Sequence, residues 1–126
     1  MAAGNHVIMD LGHGRFALYA HLLPGSVAVR AGNMVARGQT LGRLGNSGNT
    51  DSPHLHFQLM DRPSALGSNG LPFVFDTMTL RGRLAGTFQA MDQATLAGRP
   101  VTIEATAGAA ARSGEMPLTL DVVDFP

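Results

Sequence analysis

The chain has 126 residues, a length that usually forms one domain with a modest core. Nine basic and nine acidic residues leave no net charge, so no bulk field attracts nucleic acid or an anionic membrane. There is no cysteine, which excludes disulfides and thiolate metal sites. No apolar run approaches the roughly 20 residues of a membrane span, and no signal-peptide pattern is visible, so we expect a soluble chain.

The first 61 residues are typical of short β-strands separated by glycine turns. Val7–Met9 and Phe16–Ala20 are apolar runs on either side of Gly12–Gly14, which predicts a hairpin. A third strand is predicted at Val27–Val29, between a Pro-Gly and a Gly-Asn pair. Glycine recurs too often from residue 38 to residue 48 for a helix, so strand is expected there as well.

The segment His54–Met60 alternates polar and apolar residues and predicts a half-buried strand. Its alternation places His54, His56 and Gln58 on one face. Two imidazoles at this spacing have Cβ atoms about 6 to 7 Å apart, so they can share one small site. One ring can bind a metal while the other reaches a metal-bound water or a polarised carbonyl. On spacing alone, an exposed strand face is the more common explanation of such a pair.

The character of the sequence changes at Arg62, where we expect a domain boundary. Residues 83–96 fit either a poor helix or a strand, and strands are predicted at Val101–Glu104 and Leu118–Val123. The small-residue tract Ala105–Ser113 predicts a loop or short helix. We expect residues 62–126 to form a β-rich extension that packs on the first 61, and no function follows from their pattern.

Four blocks of the first half carry a family resemblance. A polar glycine turn beginning at Asn46 runs through Pro53 into the Pro-His-Leu-His-Phe sequence that ends at Phe57. Upstream, in order, lie the blocks Gly4–Gly14, Tyr19–Leu22, and Val29 to Gly42. Together they resemble the C-terminal part of a lysostaphin-type (LytM-like) zinc metallopeptidase domain. The resemblance covers a little under half of the chain.

This resemblance implies a fold, a reaction and a place of action. The fold would be mainly β, an antiparallel sheet or barrel-sandwich of the duplicated hybrid motif kind. The reaction would be zinc-dependent hydrolysis of peptide bonds, with peptidoglycan cross-link peptides as the substrate. The protein would act in the cell envelope or outside the cell.

The resemblance also implies roles for three histidines. The second histidine of the family's His-x-His pair is a zinc ligand, which falls on His56. The first histidine of that pair and the histidine of the Tyr-x-His-Leu block are catalytic in the family, which falls on His54 and His21. These roles are chemically coherent, because zinc lowers the pKa of bound water toward about 7, where imidazole exchanges protons.

The family's other zinc ligands come from an earlier His-x-x-x-Asp motif. His6 and Asp10 match that pattern literally, but they lie too close to His21, and the motif's usual middle glycine is absent. Residues four apart on a strand are also about 13 Å apart, whereas two donors to one zinc lie within roughly 4 Å. We therefore expect an N-terminally incomplete domain with His56 as its one secure ligand. Alone, this chain should be inactive or nearly so.

Other interpretations were weighed against the peptidase. A non-catalytic homologue that binds or regulates cell-wall hydrolases stays open. A biotinyl or lipoyl carrier is excluded because the chain has no lysine to modify. A sugar phosphotransferase phosphocarrier shares a barrel-like fold and a histidine site, but the Pro-His-Leu-His-Phe context favours the peptidase. His13 is expected to be an exposed turn residue, and Tyr19 either lines the groove beside His21 or packs against the sheet.

Overall fold

The computed structural model describes residues 2–126, apart from the side chain of Ala107. The chain divides into two units, the first ending at Pro72 and the second being Phe73–Pro126. The predicted boundary near Arg62 stays a prediction. The elements are β1 (Asn5–Asp10), β2 (Phe16–Leu22), β3 (His56–Met60), β4 (Met78–Leu84), α1 (Phe88–Leu96), β5 (Ile103–Arg112) and β6 (Asp121–Asp124).

The first unit contains an antiparallel sheet in the order β1-β2-β3. The predicted β1–β2 hairpin is confirmed, with its turn at Gly12–Gly14. The amide of Gly12 donates to Asp10 Oδ1 (2.8 Å), and the amide of Arg15 donates to the carbonyl of Gly12 (3.1 Å). Gly12 and Gly14 both have positive φ, which glycine adopts without steric cost.

A β-bulge interrupts the pairing of β1 with β2 near the end of the hairpin. Asn5 pairs with Leu22 and Val7 pairs with Tyr19, so β2 contains one more residue than β1 between these two pairs. Within the bulge His21 has a φ of 62°, in the left-handed region that few non-glycine residues adopt. A bulge of this kind re-aims a side chain and increases the local twist.

The core of the first unit lies on one face of this sheet. Leu18, Ala20 and Met60 are buried there together with Ala3, and partly buried apolar neighbours surround them, namely Ile8, Phe16 and Ala65. Met60 is 0% exposed and Leu18 is 2% exposed. Burial of each of these side chains contributes about 1.5 to 3 kcal/mol to folding.

Several predictions for the first unit were wrong in detail. Val27–Val29 is not a strand. The amide of Ala28 donates a hydrogen bond to the carbonyl of Leu41 (2.9 Å), which ties this segment to the chain near Leu41. Between residues 38 and 48 the described pairing is limited to isolated bridges at Leu44 and Gly45. The strand predicted from His54 begins at His56, because His54 pairs through an isolated bridge with Gly45.

The second unit has an antiparallel sheet in the order β5-β4-β6 and the helix α1. Thr87 caps α1 by accepting a hydrogen bond from the amide of Ala90 (3.2 Å), and Gly98, with a φ of 63°, follows its end. No residue of α1 is buried. Within residues 2–126, no helix is long and apolar enough to span a membrane.

The mainly β, antiparallel fold class is confirmed, but neither sheet is closed into a barrel. Residues 83–96 divide between the end of β4 and α1, so each alternative held for part of the segment. Ala105–Ser113, predicted as loop or short helix, belongs largely to β5. Most residues of this tract are alanine or glycine, so the strand shows no polar–apolar alternation in the sequence. Of Leu118–Val123, only the last part is strand.

Candidate functional site

Three histidines converge at one end of the first sheet. The ring centroids of His21 and His54 are 4.8 Å apart, and those of His21 and His56 are 5.8 Å apart. His21 is buried at 6% exposure, whereas His54 and His56 are exposed. The sequence therefore predicted a group of side chains that the fold does bring together.

The β-bulge in β2 explains how His21 reaches the other two rings. Ala20 pairs with His56 across the sheet, so their side chains share a face, and strict alternation would turn His21 to the opposite one. The left-handed backbone at His21 breaks the alternation. Holding a non-glycine residue there costs on the order of 1 to 3 kcal/mol, which the surrounding structure must offset.

Tyr19 lies on the other face of the sheet. It pairs with Phe57, and the two ring centroids are 5.1 Å apart. Of the two positions left open by the sequence, packing against the sheet is the observed one. Burial raises the pKa of the Tyr19 hydroxyl above its usual value, because the phenolate is less well solvated than the phenol.

The loop that precedes β3 packs tightly against the start of β1. A Cβ on Gly48 would lie 2.4 Å from the amide nitrogen of Gly4, and a Cβ on Gly4 would lie 2.2 Å from the carbonyl oxygen of Ser47. Both glycines also have positive φ. A backbone hydrogen bond from Asn49 to Ala2 (2.9 Å) ties the same two segments together. The glycine-rich turn is thus required by close backbone approach.

Ser47 connects this loop to both strands and to His21. Its Oγ donates to the carbonyl of Leu22 (2.6 Å) and accepts from the amide of Asn5 (2.9 Å). Its own carbonyl oxygen lies 2.8 Å from His21 Nδ1. A carbonyl can only accept, so His21 carries a proton on Nδ1, and its Nε2 is left as the free nitrogen when the ring is neutral.

His54 is held in the same way by the same loop. Its Nδ1 lies 2.9 Å from the carbonyl oxygen of Ser52 and 3.2 Å from Thr50 Oγ1. Because the Thr50 hydroxyl itself donates to the carbonyl of Ser52 (2.9 Å), it accepts from His54. His54 therefore also carries its proton on Nδ1 and leaves Nε2 free.

His56 has the opposite arrangement. Its Nε2 donates to Gln58 Oε1 (3.1 Å), which leaves Nδ1 as the free nitrogen. The alternation of the sequence places Gln58 on the face of His56 but indicates no role for it, and the sequence indicates none for Ser47 or Thr50. For Ser47 and Thr50, the signal was the run of polar residues in the turn before β3, but the sequence does not show which atoms their side chains contact.

The two remaining histidines lie elsewhere. His6 Nδ1 is 2.8 Å from the carbonyl oxygen of Gly4, two residues away, and Asp10 accepts from the amide of Gly12 in the hairpin turn. His13 is exposed in that turn, at the opposite end of β2 from His21, and has a φ of 54°. The literal His-x-x-x-Asp match therefore adds no ligand to the cluster.

The described residues do not complete a zinc site. A zinc ion in proteins is held by three or four side chains in tetrahedral geometry. Among residues 2–126, no group of three or more His, Cys, Asp or Glu side chains could hold a metal ion. The three imidazoles lie close together, and each has one nitrogen hydrogen-bonded to a carbonyl or amide oxygen and the other available.

A comparison with protein families identifies the family of the chain. Residues 1–68, more than half of the chain, match the model of Peptidase family M23. The chain belongs to this peptidase family, and its resemblance to lysostaphin-type enzymes is confirmed.

One curated relative gives a second line of support. This chain is 40% identical to the peptidoglycan DD-endopeptidase ShyA of Vibrio cholerae serotype O1 over 60 residues, which are 48% of the chain. The matched region is 14% of that protein, so the chain spans about one seventh of its relative's length. No solved structure matches this chain.

Proposed function

We propose that the first unit is the histidine-bearing part of a zinc-dependent endopeptidase that cleaves peptide bonds in peptidoglycan cross-links. The observation that carries the proposal is the convergence of His21, His54 and His56 with one nitrogen of each ring fixed and the other free. Family membership supports the reaction class, and the name of the Vibrio cholerae relative supports peptidoglycan as the substrate.

In this proposal His21 and His54 are the catalytic residues. Hydrolysis adds the oxygen of water to the scissile carbonyl carbon, and one proton of that water must pass to a base. An imidazole whose Nδ1–H is bound to a carbonyl presents Nε2 as that base, and the resulting imidazolium can donate a hydrogen bond to the oxyanion. The proton then passes to the departing amine, which completes cleavage of the C–N bond.

His56 has a different proposed role, that of a zinc donor. Its Nδ1 is the available nitrogen, since Nε2 donates to Gln58. A stable zinc ion requires protein donors in addition to those that the described cluster offers. We therefore propose that the chain by itself binds zinc weakly and has little activity. The proposed place of action, by analogy with the relative's named substrate, is the cell envelope or the extracellular space.

A second candidate function is binding or regulation of cell-wall hydrolases without catalysis. The lack of a complete metal-holding group among residues 2–126 favours it. The packing of the loop around His21 and His54 favours the peptidase, because a binding surface does not require fixed imidazole tautomers.

The two candidates are separated by measuring zinc binding and peptidoglycan cleavage on the same purified chain. With zinc in excess, we expect slow release of cross-link peptides. His54→Ala or His21→Ala should lower that rate by about 10²- to 10⁴-fold, the usual contribution of general acid–base catalysis. His56→Ala should weaken zinc binding measured by calorimetry.

His13→Ala is the matched control, because His13 lies in the hairpin turn outside the cluster, and it should change neither quantity. Fast, chelator-sensitive cleavage would contradict the proposed incompleteness of the zinc site. Tight binding to peptidoglycan with no cleavage and no response to zinc would support the second candidate.

A further inference from the structure

We propose that Thr50 is a positioning residue that holds His54 in the Nδ1–H tautomer and so directs its Nε2 toward the reacting groups. This inference rests on the proposed catalytic role of His54. Thr50 itself touches neither substrate nor metal in this scheme. Its hydroxyl acts through the imidazole and through the carbonyl of Ser52.

The geometry around His54 is a closed set of three polar groups. The Thr50 hydroxyl donates to the carbonyl of Ser52 at 2.9 Å and accepts from His54 Nδ1 at 3.2 Å. The same carbonyl accepts from Nδ1 at 2.9 Å. The proton on Nδ1 is therefore shared between the Thr50 hydroxyl and the Ser52 carbonyl. The Thr50 hydroxyl also helps to orient that carbonyl by donating a hydrogen bond to it.

His54 needs such support more than its neighbours do. Its side chain is exposed, whereas His21 is buried and receives its acceptor from a backbone segment already tied to both strands through Ser47. Free neutral histidine prefers the Nε2–H tautomer, so an exposed ring with Nδ1–H is held against its intrinsic preference. His56, with its proton on Nε2, keeps the intrinsic tautomer.

Thr50 is also suitably placed to act on His54 alone. It is partly buried, and each hydrogen bond of its side chain leads to Ser52 or His54. Replacing it by valine keeps the branched shape while removing the hydroxyl. The result is the loss of one acceptor for the imidazole and of one donor to the carbonyl of Ser52, with no new volume in the loop.

The test is ¹⁵N NMR of the histidine rings in the 126-residue chain without metal, at a pH of about 8 where free imidazoles are neutral. In the unaltered protein we expect Nδ1–H for His21 and His54 and Nε2–H for His56. In Thr50→Val, the ratio of Nδ1–H to Nε2–H at His54 should fall about three- to tenfold, the equivalent of one net hydrogen bond. Thr50→Ser restores a hydroxyl and should restore the ratio.

His21 serves as the internal control, and Thr102→Val, an exposed threonine of the second unit, as the matched variant. The proposal is overturned if the ratio of Nδ1–H to Nε2–H at His54 is unchanged in Thr50→Val, or if His54 already carries Nε2–H in the unaltered protein. It is also overturned if the ratio at His21 falls equally, since that result would mean a general disturbance of the loop. Because the measurement needs neither zinc nor cleavage, its outcome is separate from that of the hydrolysis assay.

Discussion

The two units of the chain differ in how their sequence is used. In the first unit, apolar side chains such as Leu18 and Met60 are fully buried, and a loop is pressed so closely on the strands that Gly48 has no room for a side chain. In the second unit, Met78 is the buried apolar side chain among those described, while Phe88 and Leu118 remain 59% and 69% exposed. Tight packing thus accompanies the histidine cluster, as the proposed site requires, because a functional site needs its side chains held to within about 0.5 Å.

The largest effect should come from Gly48→Ala. The added Cβ would meet backbone atoms of Gly4 and Ala2 at 2.4 and 2.5 Å, and the φ of 88° adds strain of its own. We expect a loss of about 3 kcal/mol or more in the free energy of unfolding, measured by urea denaturation.

Gly38→Ala is the control for the backbone strain. Gly38 has a φ of 78° but no atom within 4 Å of an added Cβ, so its variant should lose only about 1 kcal/mol. Equal losses in the two variants would show that close packing of the loop is not what stabilises this unit.

The next effect compares burial directly between the units. Met60→Ala removes a 0% exposed side chain from the core, so the free energy of unfolding should fall by about 2 to 5 kcal/mol. Phe88→Ala shortens an exposed side chain on α1 and should cost under about 1 kcal/mol. A Phe88 loss as large as that of Met60 would contradict the contrast drawn above.

The smallest effect uses Tyr19, the one tyrosine of the chain, as a reporter of the first unit. Its folded pKa is raised by burial above the unfolded value of about 10. The associated stability is therefore fully present below pH 10 and is lost as the pH rises through the folded pKa. A spectrophotometric titration should show a midpoint above that of free tyrosine, and Tyr19→Phe should remove this component of the alkaline loss.

The sequence predicted the first sheet and the grouping of its three histidines better than it predicted the second unit, for a physical reason. Apolar runs on either side of a glycine turn identified the hairpin, and polar–apolar alternation identified β3. It failed at His21, where one extra residue in β2 reverses the direction of the ring, and a bulge leaves no mark in the alternation. In β5 the alanines carry almost no pattern, so pairing with β4 was invisible.

The roles of Thr50, Ser47 and Gln58 were out of reach for a related reason. They depend on which polar atoms meet, and many arrangements of a polar turn share one composition. The closeness of His54 and His56, by contrast, follows from their separation of two residues in the chain, so it was available from the sequence. What remained to be learned was that the two rings present different nitrogens.

The contact between His21 and Ser47 has one consequence for sequence variation. The atom that receives the imidazole proton belongs to the main chain, and every amino acid supplies such an atom. An exchange at position 47 would thus loosen the serine's attachments to Asn5 and Leu22 without deleting the acceptor itself. A change of side chain at position 47 therefore leaves the hydrogen bond to His21 possible. A change that rotates the peptide plane of residue 47 would break it and release the His21 ring.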